Sequence, residues 1–193
     1  ATKTFVLPLV NDGSIDFWID WGDVSEDNIT AYNQAEITHV YGATGTYTIR
    51  VVGTIRGFRF YNSGDKLKIL NISQWGDFNF TQSWIFAGCT NLTCNATDAP
   101  TIGTTDLSYS FHSCSSLNFS GNINSWDVSN VISMSGLFFN CPLFNSNVGS
   151  WDTGNATNTA SMFYGTAFNQ DISSWDVSNV TNMSYMFFNA TSF

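Results

Sequence analysis

Trp126-Asp127-Val128-Ser129-Asn130-Val131 returns as Trp151-Asp152-Thr153-Gly154-Asn155-Ala156 and again as Trp175-Asp176-Val177-Ser178-Asn179-Val180, at spacings of 25 and 24 residues. Twelve residues after each Trp stands a Phe, at Phe138, Phe163 and Phe187. Fifteen after each stands a small residue (Cys141, Thr166, Ala190), and a second aromatic closes the unit at Phe144, Phe168 and Phe193. Repetition at a fixed period means that one unit cannot bury its apolar side alone, so neighbours must stack to make a core.

Working outward, two degenerate units precede these three. Phe111 with Cys114 and Leu117, and Phe86 with Cys89 and Leu92, match Phe138 with Cys141 and Phe144. Trp75-Gly76-Asp77 opens the earlier of the two. Five units result, with Phe86, Phe111, Phe138, Phe163 and Phe187 as one column. Within a unit, Trp175, Val177, Val180, Met183, Met186 and Phe187 are expected to point inward. The first of these alternate as in a short strand, and Met183 to Phe187 has the spacing of a single helical turn. Asp176, Ser178 and Asn179 are corner residues that hydrogen-bond local backbone. Five coils at strand spacing make a rod of roughly 24 Å.

The predicted fold is mainly β: a small β-sandwich over residues 1–57, then a solenoid of about five coils of 24–25 residues over 58–193. Phe5-Val6-Leu7, Ile15 to Trp21 and Tyr47 to Val52 read as strands between Asn-Asp-Gly and Gly-rich turns. No Pro/Ser-rich linker separates the two parts, so the front part is expected to cap the first coil. The final unit stops at Phe193, mid-unit, so its outer side is expected to be covered by further repeats or by another molecule, with self-association through this open end. Ala1 opens directly on a strand-like stretch, as in a mature or trimmed chain.

The period falls within the 20–29 residues of leucine-rich repeats. The unit from Phe168-Asn169-Gln170-Asp171-Ile172 through Phe187 resembles the repeat of the BspA-type leucine-rich-repeat surface proteins. The front part resembles a PKD-type sandwich through Asp20-Trp21-Gly22-Asp23, His39-Val40-Tyr41 and Gly45-Thr46-Tyr47-Thr48-Ile49, with Val24 in place of a customary Gly. The resemblance implies extracellular display and adhesion, and no catalytic residues.

Charge narrows the function. All six basic residues (Lys3, Arg50, Arg56, Arg59, Lys66, Lys68) precede position 69, while seven of the fifteen acidic residues follow it, and the net charge is −9. A phosphate backbone needs several cationic contacts, so nucleic acid is excluded as a partner, and anionic membrane surfaces are disfavoured. No apolar run reaches the length of a membrane span.

Candidate chemistry is thin. His39 and His112 are the two histidines, and each is expected to be structural. Neither belongs to a nucleophile elbow, and no Gly-rich phosphate loop occurs, so an enzyme is not expected. No cofactor is expected either. The Asp127, Asp152 and Asp176 column is expected to cap its own corners, with calcium as the other use of such carboxylates; Asp12, Asp16, Asp20 and Asp23 carry the same two readings.

Cys89, Cys114 and Cys141 share a column. Adjacent coils bring two of them within disulfide range, so a Cys89–Cys114 bridge is a candidate, with buried free thiols as the alternative; Cys94 has no evident partner. Ten Asn-x-Ser/Thr sequons, at Asn28, Asn71, Asn79, Asn91, Asn95, Asn118, Asn155, Asn179, Asn182 and Asn189, are candidate N-glycosylation sites in a secreted eukaryotic or viral protein. The expected function is adhesion or matrix interaction at a cell surface, through protein or glycan ligands. The alternatives are a structural subunit of an extracellular filament or virion appendage, and a carbohydrate-binding module.

Overall fold

The computed structural model describes residues 3–193. The chain is mainly β, with helix limited among the described residues to two short 3-10 turns, Ala35–Ile37 and Ile123–Ser125, and its sheets do not close into a barrel.

The front part builds two antiparallel sheets. Strand β1 (Thr4–Val6) pairs with β4 (Thr38–Val40), while β2 (Asp16–Asp20) lies between β3 (Glu26–Ile29) and β5 (Arg50–Thr54). The alternation of β2 sets its two faces: Phe17 and Ile19 are buried, and Asp16 and Trp18 are exposed. Trp21 is fully buried and its indole Nε1 donates to Asp27 at 2.7 Å.

Residues 55–60 join the two parts. Leu9 bridges Phe58 antiparallel, Val10 N–H donates to Gly57 O, and Arg59 N–H donates to Pro8 O. Phe58 also packs on Phe78 and Phe86. One apolar cluster therefore runs from Leu7 through Phe58 and Phe60 to Phe168 and Met186.

Beyond Phe60 the chain is built from tight turns joined by short parallel pairings. Strands β6 (Asn71–Ile72) and β8 (Thr93–Cys94) pair in parallel, as do β7 (Asn79–Phe80) and β9 (Thr101–Ile102). Further on, single-residue parallel bridges link Asp106 to Ser133, Ser133 to Asn158 and Asn158 to Asn182. The three bridges advance 27, 25 and 24 residues and the two strand pairings 22, close to the repeat period.

The Phe column is continuous. Successive rings of Phe86, Phe111, Phe138, Phe163 and Phe187 are stacked at 5.5, 5.8, 6.0 and 5.6 Å, tilted by only 13–14°. Phe144, Phe168 and Phe193 make a second stack at 6.1 and 6.3 Å, each packed on the Phe of its own unit at 3.8–3.9 Å. Stacked aromatics contribute about 0.5–1.5 kcal/mol per pair beyond area burial.

Val177 and Met183, expected inward, are 46% and 44% exposed. Their equivalents Val128 and Met134 are 1% and 0% exposed. The side chains of the last unit lack the neighbouring unit that covers Val128 and Met134.

Candidate functional site: the faces of the repeat units

Backbone hydrogen bonds tie the units in both directions. Ile132 and Ser133 donate back to Thr105 O, Thr157 and Asn158 to Ile132 O, and Thr181 and Asn182 to Thr157 O, while a longer ladder runs forward. Leu107, Tyr109, Phe111 and Ser113 donate N–H to Ser133, Ser135, Leu137 and Phe139. Met134, Gly136, Phe138 and Asn140 donate in the same register to Asn158, Ala160, Met162 and Tyr164. Thr159, Ser161, Phe163 and Gly165 repeat the pattern onto Asn182, Ser184, Met186 and Phe188. The equivalent N–H groups of Met183, Tyr185, Phe187 and Asn189 have no partner among the described residues.

This register requires two left-handed residues per unit. Two before the column Phe come Trp84, Tyr109, Gly136, Ser161 and Tyr185, with φ between 56° and 61°. Two after it come Gly88, Ser113, Asn140, Gly165 and Asn189, with φ between 54° and 76°. Asn and Gly tolerate this region best. At Gly136 a side chain is excluded twice over, since an added Cβ would lie 2.2 Å from Cε1 of Tyr109.

Side chains carry the same ladder. The indole Nε1 of Trp151 donates to Ile123 O and that of Trp175 to Val148 O, both at 3.0 Å. The Asn155 and Asn179 amides donate to Ser129 O and Gly154 O, both at 2.7 Å. In the last two units the recurring Trp and Asn are thus each bonded to a backbone carbonyl one unit back, a bond that Trp126 and Asn130 do not make among the described residues. Sequence reading assigned Trp only to packing, and its separations of 28 and 27 from the Ile123 and Val148 carbonyls do not match the repeat period.

The Asp column closes its own corners. Asp127, Asp152 and Asp176 each accept the N–H two residues on, at 3.1, 3.1 and 2.9 Å. The Ser129 hydroxyl, with its amide, holds Asp127 below the usual carboxylate range; Ser178 does the same for Asp176, and Ser173, its amide first, for Asp171. Among the described residues no group of three or more His, Cys, Asp or Glu is arranged to hold a metal ion. Asp12, Asp16, Asp20 and Asp23 are not gathered either: Asp20 reaches Arg50 at 3.5 Å, and Asp23 binds Ser25 and His39.

Both histidines sit in aromatic packing. His39 stacks on Trp21 at 4.7 Å and meets Asp23 Oδ2 at 2.9 Å. Ser25 also binds Asp23, its hydroxyl at 2.5 Å. The carboxylate therefore lies between Ser and His, whereas nucleophile activation needs the His between. Hydrogen bonds from Ser25 and then His39 lower the Asp23 pKa. His112 stacks on Phe139 at 5.2 Å, and burial pushes its pKa down, favouring the neutral ring.

Of the two readings of the cysteine column, the structure has the free thiols and not a Cys89–Cys114 bridge. All four cysteines are free and buried. Cys114 and Cys141 direct Sγ–H to the Phe86 and Phe111 carbonyls at 3.1 and 2.9 Å, an interaction within the column that needs no cross-link. Burial pushes up the thiols of Cys89 and Cys141, and that of Cys94 to about 11.

The sequon asparagines differ in what their side chains do. Asn71, Asn91, Asn155 and Asn179 donate their amide nitrogens to neighbouring units, and Asn28 reaches Asp16 at 3.4 Å. Asn79 accepts Gly103 N–H, Asn95 accepts Asn71, and Asn182 accepts Ser184 N–H. Asn118 and Asn189 are exposed.

A second aromatic row runs along the partly exposed side. Trp84 stacks on Tyr109 at 4.5 Å, Phe139 on Tyr164 at 4.4 Å, and Tyr164 on Phe188 at 5.2 Å. At its end, Met183, Tyr185, Met186, Phe187 and Phe188 line an open depression of about 440 Å³.

Residues 105–193 match a family model described as a Mycoplasma protein of unknown function, DUF285. No curated protein matches the chain, and no solved structure does. The match corrects the BspA-type resemblance drawn from the sequence, because the family that matches these repeats is DUF285 and no leucine-rich-repeat family does; it does not reach residues 1–57. The geometry gives a reason for the repeats. Leucine-rich repeats place a strand in each unit, whereas residues 105–193 join their units through single-residue bridges between left-handed turns.

Proposed function

We propose that the chain is a non-catalytic surface protein, displayed outside the cell, whose units stack as a solenoid and serve adhesion. In this reading the front sheets form a small sandwich that caps the first coil. The observation that carries it is the inter-unit ladder. Asp127, Asp152, Asp176, Asn155, Asn179, Trp151 and Trp175 all spend their polar atoms on turns and neighbouring units. Residues of the kind that do chemistry are here used to hold a scaffold, and the scaffold offers the same Asn/Ser/Thr-rich pattern at every step. No helix among the described residues is long and apolar enough to cross a membrane.

The sugar-platform alternative draws little support from the coil aromatics. A sugar stacks on an open ring face, and the faces of Trp84, Tyr109, Phe139 and Tyr164 lie against one another. Beads coated with the 193-residue chain should attach to cultured cells or to matrix proteins above the level of beads carrying heat-unfolded chain. Equal attachment of the two bead types contradicts the proposal.

A filament subunit is the second reading, favoured by the unpartnered N–H groups of Met183, Tyr185, Phe187 and Asn189. Two such ends pair poorly, because these four donors would face four donors, although Thr181 O, next in the series Thr105, Ile132 and Thr157, is an acceptor without a donor among the described residues. The opposite end is partly occupied, since Phe60 and Tyr61 already donate to Ile85 O and Trp84 O. A filament contact therefore needs a carbonyl row from another surface, and electron microscopy at rising concentration would reveal it.

A further inference from the structure

The outer face of the front sheet has an unusual centre. Register places Trp18 directly between Asn28 of β3 and Val52 of β5. Asp20 lies between Glu26 and Arg50, and Asp16 lies beside Thr54. Trp18 is 56% exposed and Val52 74%. The other six tryptophans each lie against a neighbouring ring. Trp18 has no aromatic neighbour among the described residues, and more than half of its surface meets solvent.

Residues directly opposite on antiparallel strands have Cβ atoms about 4.5–5.5 Å apart. Asp16 and Asp20 flank Trp18 on the same face of β2, and Glu26 lies one step across from Asp20. Three carboxylates thus share the face with the indole. Asp20 accepts Gly22 N–H at 2.7 Å and lies 3.5 Å from the largely exposed Arg50, the one cation among them, and Asp16 accepts Asn28 Nδ2 at 3.4 Å. An exposed indole attracts a cation through its ring quadrupole, and adjacent carboxylates attract it by charge. The chain's net charge of −9 draws basic partners from a distance.

We propose that this face docks a basic polypeptide segment, with one Lys or Arg laid on the Trp18 indole and its neighbours paired to Asp16, Asp20 and Glu26. Charge complementarity selects this occupant: anionic glycans and nucleic acids are repelled, and a neutral sugar leaves the net charge of the rim unanswered. The site lies on a different face from the repeat units and names a partner for it. A failed attachment assay leaves it standing.

Calorimetric titration of the 193-residue chain with a short oligo-arginine peptide, and with a Gly/Ser peptide of equal length, tests the proposal. Trp18→Ser and Asp16→Asn change exposed side chains, and thermal melting verifies that each variant folds. Asp77→Asn, at another exposed site, makes the same charge change elsewhere. Oligo-arginine should bind, more weakly as salt rises, and the Gly/Ser peptide should not. Trp18→Ser should weaken binding at least about two- to fivefold, and Asp16→Asn should weaken it more than Asp77→Asn does. Absent oligo-arginine binding overturns the proposal. So does binding indifferent to Trp18→Ser, or equal effects of the two Asp changes, either of which marks diffuse attraction. Neutral oligosaccharide binding that Trp18→Ser abolishes, without oligo-arginine binding, reassigns the face to a glycan.

Discussion

Phe138 and Phe163, 25 positions apart in sequence, lie ring on ring at 6.0 Å and 13°, and both are fully buried. Each also packs on the closing aromatic of its own unit, Phe144 at 3.8 Å and Phe168 at 3.9 Å. Every unit therefore depends on the next for its core.

Phe163→Ala removes a ring in contact with Phe138, Phe168 and Phe187 at once. The expected loss is about 3–5 kcal/mol, against about 0.5 kcal/mol or less for Ser120→Ala, an exposed residue whose hydroxyl bonds no neighbour among the described residues. Urea unfolding monitored by circular dichroism measures both. Equal midpoints would contradict the column.

Gly136→Ala places a Cβ into the Tyr109 ring on a residue at φ 59°. A loss of about 1–3 kcal/mol is expected. Tyr109→Ala made in the same chain should cancel the steric part, giving a non-additive double-mutant cycle. Strict additivity would show that the two residues do not meet.

The thiols give a third prediction. All four are buried, and burial raises the thiol pKa of Cys89, Cys94 and Cys141, so alkylating reagents at pH 8 should label the native chain slowly and the urea-unfolded chain fully. Mass spectrometry counts the added groups. A native chain lighter by two hydrogens, with a bridged Cys89–Cys114 peptide, would restore the disulfide.

Acid should weaken the corners. Hydrogen bonds depress the folded pKa values of Asp127, Asp171 and Asp176 below the ordinary 3.8. Their stabilising contribution is full above that value and is lost as pH falls through the lower, folded one. The melting temperature should respond to these groups only below about pH 4. Asp127→Asn/Asp176→Asn should flatten that acid limb; an unchanged limb would contradict the assignment.

Much of this was legible in the residues. The Phe column announced itself because burial against identical neighbours forces identity at one position per period. The corner role of Asp127 and Asp176 followed from Asp two places before Ser. What stayed hidden was how the units touch. Trp151 looks like a core residue, and its bond to Ile123 O depends on a coil offset that no local pattern records. The left-handed residues were equally obscure, since Trp84, Tyr109 and Ser161 are not residue types that announce positive φ. Trp18 and Trp21 were separable by alternation, since Trp21 shares its parity with Phe17 and Ile19, and Trp18 with Asp16 and Asp20. The family resemblance failed because the period alone does not say whether a unit contains a strand.

Amide hydrogen exchange on the 193-residue chain tests the stacked ladder most directly. Gly136, Phe138 and Asn140 donate to Ala160, Met162 and Tyr164, whereas Tyr185, Phe187 and Asn189 hold the same positions with no acceptor. The first three should exchange with near-global protection, and the last three should exchange at least about a hundredfold faster. Equal protection of the two sets, or fast exchange at Phe138, would contradict the account.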